Sequence, residues 1–502
     1  MNTCYITNTE EVFELVEIIL SERYSKEIIE IAKDLLKNGL STIPEIKGRL
    51  KLSFENIRNI LIILLQNKLI NCKEIFRNEF KYIGYEINIE NILNILLYPR
   101  LCIFAKEKFG DFGLYIFEEF MNFGILNSPQ LIEQIKNKIN SNNKNSKDNN
   151  NLDVKIKTVL INLIEKNYIV LSKNNNINNN FDKQNNNKEF ISQKKKDKKE
   201  NSSNKKNKNK KKKLAEKDDL DNNNSKNLII IDDNENNINN NKINKIDENA
   251  YLFNYENNTY YFFFFNFEQI LCDLKVKIII EFITQKCGSQ VGLIASFMLE
   301  KNQITSFKTG HSDSFNYQTI CHKIKNMNEN KILEIINESN DLFLKITSDT
   351  FSLNLEKISN HIKQQIIEKT ITQQFSENHL RVYRLLSLCG ALDSKNIMEN
   401  CLIFPKTLNL ILNQLYSEGY IQTEIINVKG SNILFYNVDY NKNIEKLVNT
   451  SYKIIKNLKK SLNEELETNK NMLTSDMKQI FITKIYFTID NLCETIIALK
   501  YL

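Results

Sequence analysis

Leu64-Leu65-Gln66-Asn67-Lys68-Leu69-Ile70 returns in pattern as Leu163-Ile164-Glu165-Lys166-Asn167-Tyr168-Ile169 and as Leu415-Tyr416-Ser417-Glu418-Gly419-Tyr420-Ile421. In each copy an apolar pair closes a helical run, polar residues turn the chain, and a second apolar pair enters an extended run. Three such handovers in one chain argue for an array of similar small modules.

Upstream of the first copy, Val12, Leu15, Val16 and Ile19 recur at the i, i+3, i+4, i+7 spacing of an amphipathic helix. Lys26 to Asn38 predicts a second helix, stopped by Gly39. Thr42-Ile43-Pro44 reads as a cap with proline in the first turn, and Ser53 caps a helix that buries Ile57, Ile60, Leu61, Leu64 and Leu65. Two strands follow, Cys72 to Phe76 and Phe80 to Ile87, joined at Asn78-Glu79. Helices followed by a β-hairpin is the winged-helix order, and it predicts one such domain over 8–88.

The same reading gives a second winged helix over 89–173. It has a helix ending at Leu97-Tyr98-Pro99-Arg100, a helix from Gly113 to Asn122, a helix capped at Ser128-Pro129 and a helix from Val154 to Lys166. Only one strand follows, and its expected partner is not next in sequence. Residues 249–355 predict a third, diverged winged helix. It opens on the aromatic run Tyr260 to Phe267, a buried strand or a base-stacking platform, continues through a helix from Asp273 to Gln285, and ends in a hairpin from Leu342 to Ile346 and Phe351 to Leu355. Residues 356–440 predict the fourth. Its helices are marked by Ile362, Ile366, Ile367 and Ile371, by Val382, Leu385, Leu386 and Leu388, by the cap Asp393-Ser394, and by Pro405. Its strands are Ile421 to Val428 and Asn432 to Val438, turned at Lys429-Gly430-Ser431.

In the last segment, 441–502, Ile482, Ile485, Ile489, Leu492, Ile496 and Leu499 advance by alternating steps of 3 and 4, an a/d seam. With the apolar helix upstream, it predicts an antiparallel helical hairpin. That seam either packs on the fourth domain or docks a partner. The predicted fold class is therefore mainly α with small β-hairpins: a tandem array of four winged-helix domains followed by a C-terminal helical hairpin, or coiled coil.

The 502 residues include only 12 Gly and 4 Pro, which argues against a turn-dense all-β protein. Net charge is +7, but the Asn/Lys-rich tract 174–248 holds 18 Lys and no Arg against 13 Asp plus Glu. The remaining blocks are near neutral, so a broad DNA-binding face is not expected. The tract itself is expected to be a disordered insert; its stretch from Lys194 to Lys213 also suits a nuclear localisation signal or a loose nucleic-acid tether. The nine Cys form no C-x-x-C and sit mostly in apolar runs such as Leu271-Cys272 and Leu388-Cys389, so buried, reduced thiols are expected. The first residues lack the pattern of a signal peptide, and no apolar run reaches the ~18 residues of a membrane span. A soluble, intracellular protein is expected.

The four His (311, 322, 361 and 379) have no metal-ligand spacing to Cys or to one another. No phosphate-binding Gly loop or nucleophile elbow occurs, and Asp111-Phe112-Gly113 matches the kinase tripeptide by letters alone. No catalytic, cofactor-binding or metal-binding residue is predicted. The presumed recognition helices expose Asn56, Arg58 and Asn59 in the first domain and Lys406, Asn409 and Asn413 in the fourth. One basic residue in each favours protein contact over base readout. The first wing, with Lys73, Arg77 and Lys81, is the candidate nucleic-acid contact.

The chain resembles the winged-helix subunit of eukaryotic RNA polymerase III, the largest member of that enzyme's specific heterotrimer and a relative of TFIIE alpha. The resemblance is carried by Leu15 to Gly39 and the helix into Asn67-Lys68-Leu69-Ile70. It is carried also by Ile95-Leu96-Leu97-Tyr98-Pro99-Arg100 followed by Phe117-Glu118-Glu119 and Asn122-Phe123-Gly124, by Arg381-Val382-Tyr383-Arg384-Leu385-Leu386, and by the terminal hairpin. It implies four extended winged helices and a coiled coil docked on the polymerase clamp. It further implies partnership with the polymerase III core, the other two heterotrimer subunits, TFIIIB and DNA, a role in promoter opening and initiation at tRNA and other small-RNA genes, a nuclear location, and no cofactor or membrane. A free-standing winged-helix DNA-binding regulator and a scaffold of the proteasome-lid type are the rival readings.

Overall fold

A computed structural model describes residues 10–77, 80–142, 149–173, 261–300, 303–324, 329–339, 341–428, 431–468 and 476–502. The expected insert 174–248 and the turn residues Asn78-Glu79 and Lys429-Gly430 lie outside the described residues.

The first helices form where the apolar spacing puts them. Helix α1 (Glu10–Ser21) buries Val12, Leu15, Val16, Ile19 and Leu20, and α2 (Lys26–Asn38) stops at Gly39, whose φ of 67° only glycine adopts cheaply. Strand β1 (Ser41–Thr42) leads into α3 (Ile43–Arg49), opened by a capping box in which Glu45 Oε2 accepts from Thr42 N at 2.8 Å. Helix α4 (Phe54–Gln66) is capped by Ser53, whose hydroxyl accepts from Asn56 N. Strands β2 (Ile70–Arg77) and β3 (Phe80–Ile87) form the hairpin, and β1 adds to its second strand, giving the antiparallel order β1-β3-β2.

Next come α5 (Ile89–Asn94), a 3₁₀ turn (Ile95–Leu97) and α6 (Tyr98–Phe123). Pro99 therefore opens a helix rather than closing one, because the missing N–H of proline costs nothing in a first turn. Gly110, at φ 72°, kinks α6 midway. Strand β4 (Ile125–Asn127), α7 (Ser128–Asn142), α8 (Asn149–Glu165) and β5 (Ile169–Lys173) follow, then β6 (Tyr261–Phe265).

The order of this second sheet is β4-β6-β5, which corrects the placement of the aromatic run. It does not open the third block; it is the missing strand of the second. Asn266, directly after β6, donates its backbone N–H to Tyr168 O (2.9 Å) and its amide to Asn167 O (2.8 Å). Phe265 meets the Phe117 ring edge-on at 5.0 Å and stacks with Phe120 at 6.5 Å, both on α6.

The third block then consists of α9 (Phe267–Cys287), α10 (Ser289–Met298), α11 (Gln303–Thr309), β7 (Phe315–Asn316), α12 (Tyr317–Lys323), α13 (Glu329–Glu338), β8 (Phe343–Lys345) and β9 (Thr350–Leu353), with the antiparallel order β7-β9-β8. Its core gathers Ile279, Ile283, Ile294, Met298, Ile320, Ile332, Phe351 and Leu353. The fourth consists of α14 (Leu355–Gln374), α15 (Glu377–Cys389), β10 (Leu392–Asp393), α16 (Ser394–Cys401), α17 (Pro405–Ser417), β11 (Gln422–Val428) and β12 (Ser431–Asn437), in the antiparallel order β10-β12-β11. Leu388, expected on the apolar face of α15, is 82% exposed, and Cys389 is exposed beside it. Last come α18 (Tyr440–Thr468), α19 (Asp476–Ile496) and a π-helical turn (Ile497–Tyr501).

Four times, then, the last strand of a hairpin lies between its partner and a short strand from earlier in the block. The described chain is mainly helical with small sheets. Two compact units divide it: Met1–Ile125, Gln134–Val170 and Phe264–Leu502 form the larger, and Leu126–Glu133 with Leu171–Phe263 the smaller. Within the smaller, Asn127 Oδ1 caps α7 by accepting from Gln130 N at 2.9 Å.

Candidate nucleic-acid and partner interfaces

The repeated phrase has a defined geometry. Leu69, Tyr168 and Tyr420 each donate N–H to the carbonyl five residues back, on Leu64, Leu163 and Leu415, at 2.8–2.9 Å. Lys68, Asn167 and Gly419 donate to the carbonyl three back, with φ of 55°, 59° and 73°. This pair of bonds is the Schellman helix stop; the first residue and the last two of each copy are buried, while Leu65 and Ile164 are half-buried and Tyr416 is exposed.

A second repeat escaped the sequence reading. Ile87-Asn88-Ile89-Glu90, Phe265-Asn266-Phe267-Glu268 and Leu353-Asn354-Leu355-Glu356 each join a last strand to the next helix. The Asn side chain caps that helix, accepting from Asn91 N, Gln269 N and Lys357 N respectively. Asp439 does the same for α18 through Lys442 N. Hydrophobic-Asn-hydrophobic-Glu was visible in the sequence, and it would have placed the aromatic strand and the register of the third block.

On the first hairpin, Lys73 pairs with Glu86 and Lys81 with Glu74, each at 2.5 Å and exposed. Arg77 ends β2, paired through its backbone with Phe80. Phe76 and Phe80 are 71% and 68% exposed. Asn56, Arg58 and Asn59 on α4, and Lys406, Asn409 and Asn413 on α17, are all exposed as expected.

The a/d seam of α19 turns inward. Ile485, Ile489, Ile496 and Leu499 are buried, and Ile482 and Leu492 half-buried. Within the described residues the chain itself covers most of this seam. Cys493 Sγ reaches Leu96 O at 3.6 Å, and burial pushes its thiol pKa up to about 12. Arg100, from the Leu97-Tyr98-Pro99-Arg100 phrase, grips Asp490 through two bonds of 3.1 Å and Glu494 at 2.7 Å. Arg23 lies 5.0 Å from the Tyr98 ring centroid. The phrase thus anchors the terminal helix.

Helix α18 begins against the fourth block, where Asn443 donates to Tyr383 Oη (3.1 Å) and Tyr420 O (3.0 Å). Further on it covers α1: Lys453 pairs with Glu11 (2.7 Å), Lys460 with Glu14 (2.7 Å), Lys456 with Glu14 (3.2 Å) and Lys459 with Glu22 (2.7 Å). The Lys453 and Lys460 ammonium groups hold the Glu11 and Glu14 carboxyls below their ordinary value.

Where polar groups do cluster, they tie elements together. Lys108 on α6 donates to Tyr168 Oη, which donates to Asp273 on α9; Lys108 also lies 3.3 Å from that carboxylate. Burial, then Asp273, pushes the Tyr168 hydroxyl well above its ordinary pKa, making it a poor nucleophile. No group of three or more potential metal ligands occurs among the described residues, and none of their helices is long and apolar enough to cross a membrane. The eight described Cys are free thiols; Cys272, Cys401 and Cys493 are buried, while Cys72, like Cys389, is exposed, contrary to expectation.

Repeated helix–hairpin blocks, with exposed hairpins and exposed faces on α4 and α17, give a winged-helix architecture. Comparison with known proteins sharpens the class. Residues 367–432 match the family model of the POLR3C C-terminal winged-helix domain. The DNA-directed RNA polymerase III subunit rpc3 of Dictyostelium discoideum is 26% identical over 268 residues, 46% of this chain and 40% of that protein. Subunit RPC3 of Danio rerio is 26% identical over 128 residues, 26% of this chain and 24% of that protein, and that of Homo sapiens 22% over 131 residues with the same coverage. The chain thus spans less than half the length of these relatives in each match. Over these stretches the chain is similar to the RPC3 winged-helix subunits of RNA polymerase III.

Proposed function

We propose that this chain is a non-catalytic subunit of nuclear, DNA-directed RNA polymerase III, acting in promoter opening and initiation at tRNA and other small-RNA genes. The observation that carries the reading is that the match over residues 367–432 falls on a block whose strand order recurs in three others. In this reading the chain is four winged helices in tandem, with boundaries near 88, 266, 354 and 439 set by the four Asn/Asp caps. A C-terminal helical pair follows, laid along the first and fourth. It docks on the polymerase clamp beside two further heterotrimer subunits and TFIIIB.

DNA contact falls to the first wing. The Lys73–Glu86 and Lys81–Glu74 pairs are exposed, and such pairs contribute about 0–1 kcal/mol each, so backbone phosphates can displace the glutamates. Paired cations attract DNA weakly when free, which favours a subunit positioned by its partners over a free-standing regulator. Affinity purification of the tagged full chain from its native cell, followed by mass spectrometry, tests the proposal: the large polymerase III subunits are expected, and their absence overturns it.

A further inference from the structure

We propose that the cleft between α9 and α14 is a recognition site for a carboxylate side chain presented by a protein partner. The cleft is about 360 Å³, lined by Phe282, Gln285 and Lys286 of α9 and by His361, Gln364, Gln365 and Glu368 of α14. Its walls define the occupant. His361 Nδ1 is buried with no hydrogen-bond partner among the described residues, a condition that buried polar atoms rarely tolerate. Lys286 is exposed and makes no ion pair among the described residues; its ammonium lies 5.7 Å from the Phe282 ring centroid. Gln285 and Gln365 add two side-chain amides to the lining. Glu368, by contrast, is engaged, accepting from Arg384 Nε at 3.0 Å and from Gln364 Nε2 at 2.9 Å.

The cleft therefore offers one unpaired cation and two amides beside an apolar ring, with the His361 imidazole in its wall. A single unbalanced positive charge fits a monoanion. A polyphosphate backbone is matched by several cations, and Glu368 repels a second negative charge. The two amides suit peptide groups flanking an acidic residue. None of this depends on the polymerase reading.

The same arrangement supplies a spectroscopic handle. Burial, then Lys286, holds His361 below its ordinary pKa; Lys357 adds to this effect and Asp341 opposes it. A carboxylate seated in the cleft returns the imidazole toward protonation.

The full chain has four His, so selective ¹³C-histidine labelling gives four resolvable signals, and His361→Asn identifies one of them. The probes are a capped Gly-Gly-Glu-Gly-Gly peptide, its Gln counterpart, sodium acetate and inorganic phosphate, each at millimolar concentration. The Glu peptide is expected to shift the His361 signal and raise its titration midpoint by about half a unit or more. The Gln peptide is expected to leave it in place. Lys286→Ala, at an exposed position, is expected to keep the melting temperature and weaken the Glu peptide by roughly tenfold. A motionless His361 signal, equal response to the Gln peptide or phosphate, acetate binding as tightly as the peptide, or an inert Lys286→Ala variant would each overturn the proposal.

Discussion

Strands β2–β3 and β11–β12 hold the same places in their sheets and grow from the same Schellman-terminated helix, yet they present different chemistry. The first hairpin is charged and aromatic: Lys73, Glu74, Lys81 and Glu86 pair along it, and Phe76 and Phe80 stand out near its end. The fourth is apolar: Ile425 is 72% exposed, Ile426 and Leu434 are exposed with it, and Glu424 is the single charged residue within its two strands. One backbone plan thus serves two surfaces, and fold alone does not say what a wing touches. Exchangeable ion pairs suit a polyanion, whereas an exposed aliphatic pair suits another protein.

The comparison breaks first at its skeleton. Leu64→Ala and Leu415→Ala remove equivalent buried residues at two Schellman stops. Each is expected to lower unfolding free energy by about 2–5 kcal/mol in urea titrations of its own block's transition; a large loss at one site and none at the other would end the equivalence. The surfaces separate next. Reversing Lys73→Glu and Lys81→Glu together should flatten the salt dependence of duplex binding by about two units of log–log slope. Ile425→Ser with Leu434→Ser should leave that slope alone and reduce recovery of partner subunits in a pull-down. An opposite assignment of effects would invert the contrast between the wings. Smaller still, Asn88→Ala and Asn354→Ala should each cost about 1 kcal/mol as lost helix caps, read by denaturation against the corresponding Asn→Asp variants, which keep the cap.

The smallest expected effect concerns pH. Glu11 and Glu14 are held below the ordinary carboxyl value of 4.5 by Lys453 and Lys460. A depressed folded-state pKa contributes stability above 4.5 that is lost as pH falls through the folded value. The stability gap between the native chain and a Lys453→Met/Lys460→Met variant should therefore shrink as pH drops below 4.5. A gap that stays constant would show that these exposed pairs contribute nothing.

Local chemistry explains what the sequence made legible. A Schellman stop needs only a buried residue on each side of a left-handed position, so three copies announced themselves over seven residues each. The caps at Ser53 and Asp393 and the stops at Gly39 and Gly390 are equally local. Pairing of β6 was not legible from proximity, because the chain from 174 to 260 separates it from β5. The capping Asn266 could have revealed it, since it repeats Asn88 and Asn354. Heptad spacing in α19 reported correctly that one face is apolar, but spacing carries no information about which surface covers it. Arg100, far away in sequence, settles that point through Asp490 and Glu494. The surface cleft at His361 is assembled from two helices of different blocks and leaves no signature in either.

Helix α18 meets α1 through Lys459 and Glu22, which stand 437 positions apart in the chain. At about 5–20 residues per second of synthesis, the first helix waits roughly 20–90 s for its cover. Throughout that interval a nascent chain displays an unclosed acidic and oily flank, as would any product cut short before α18. Covering the flank of α1 therefore requires residues that follow it by more than four hundred positions.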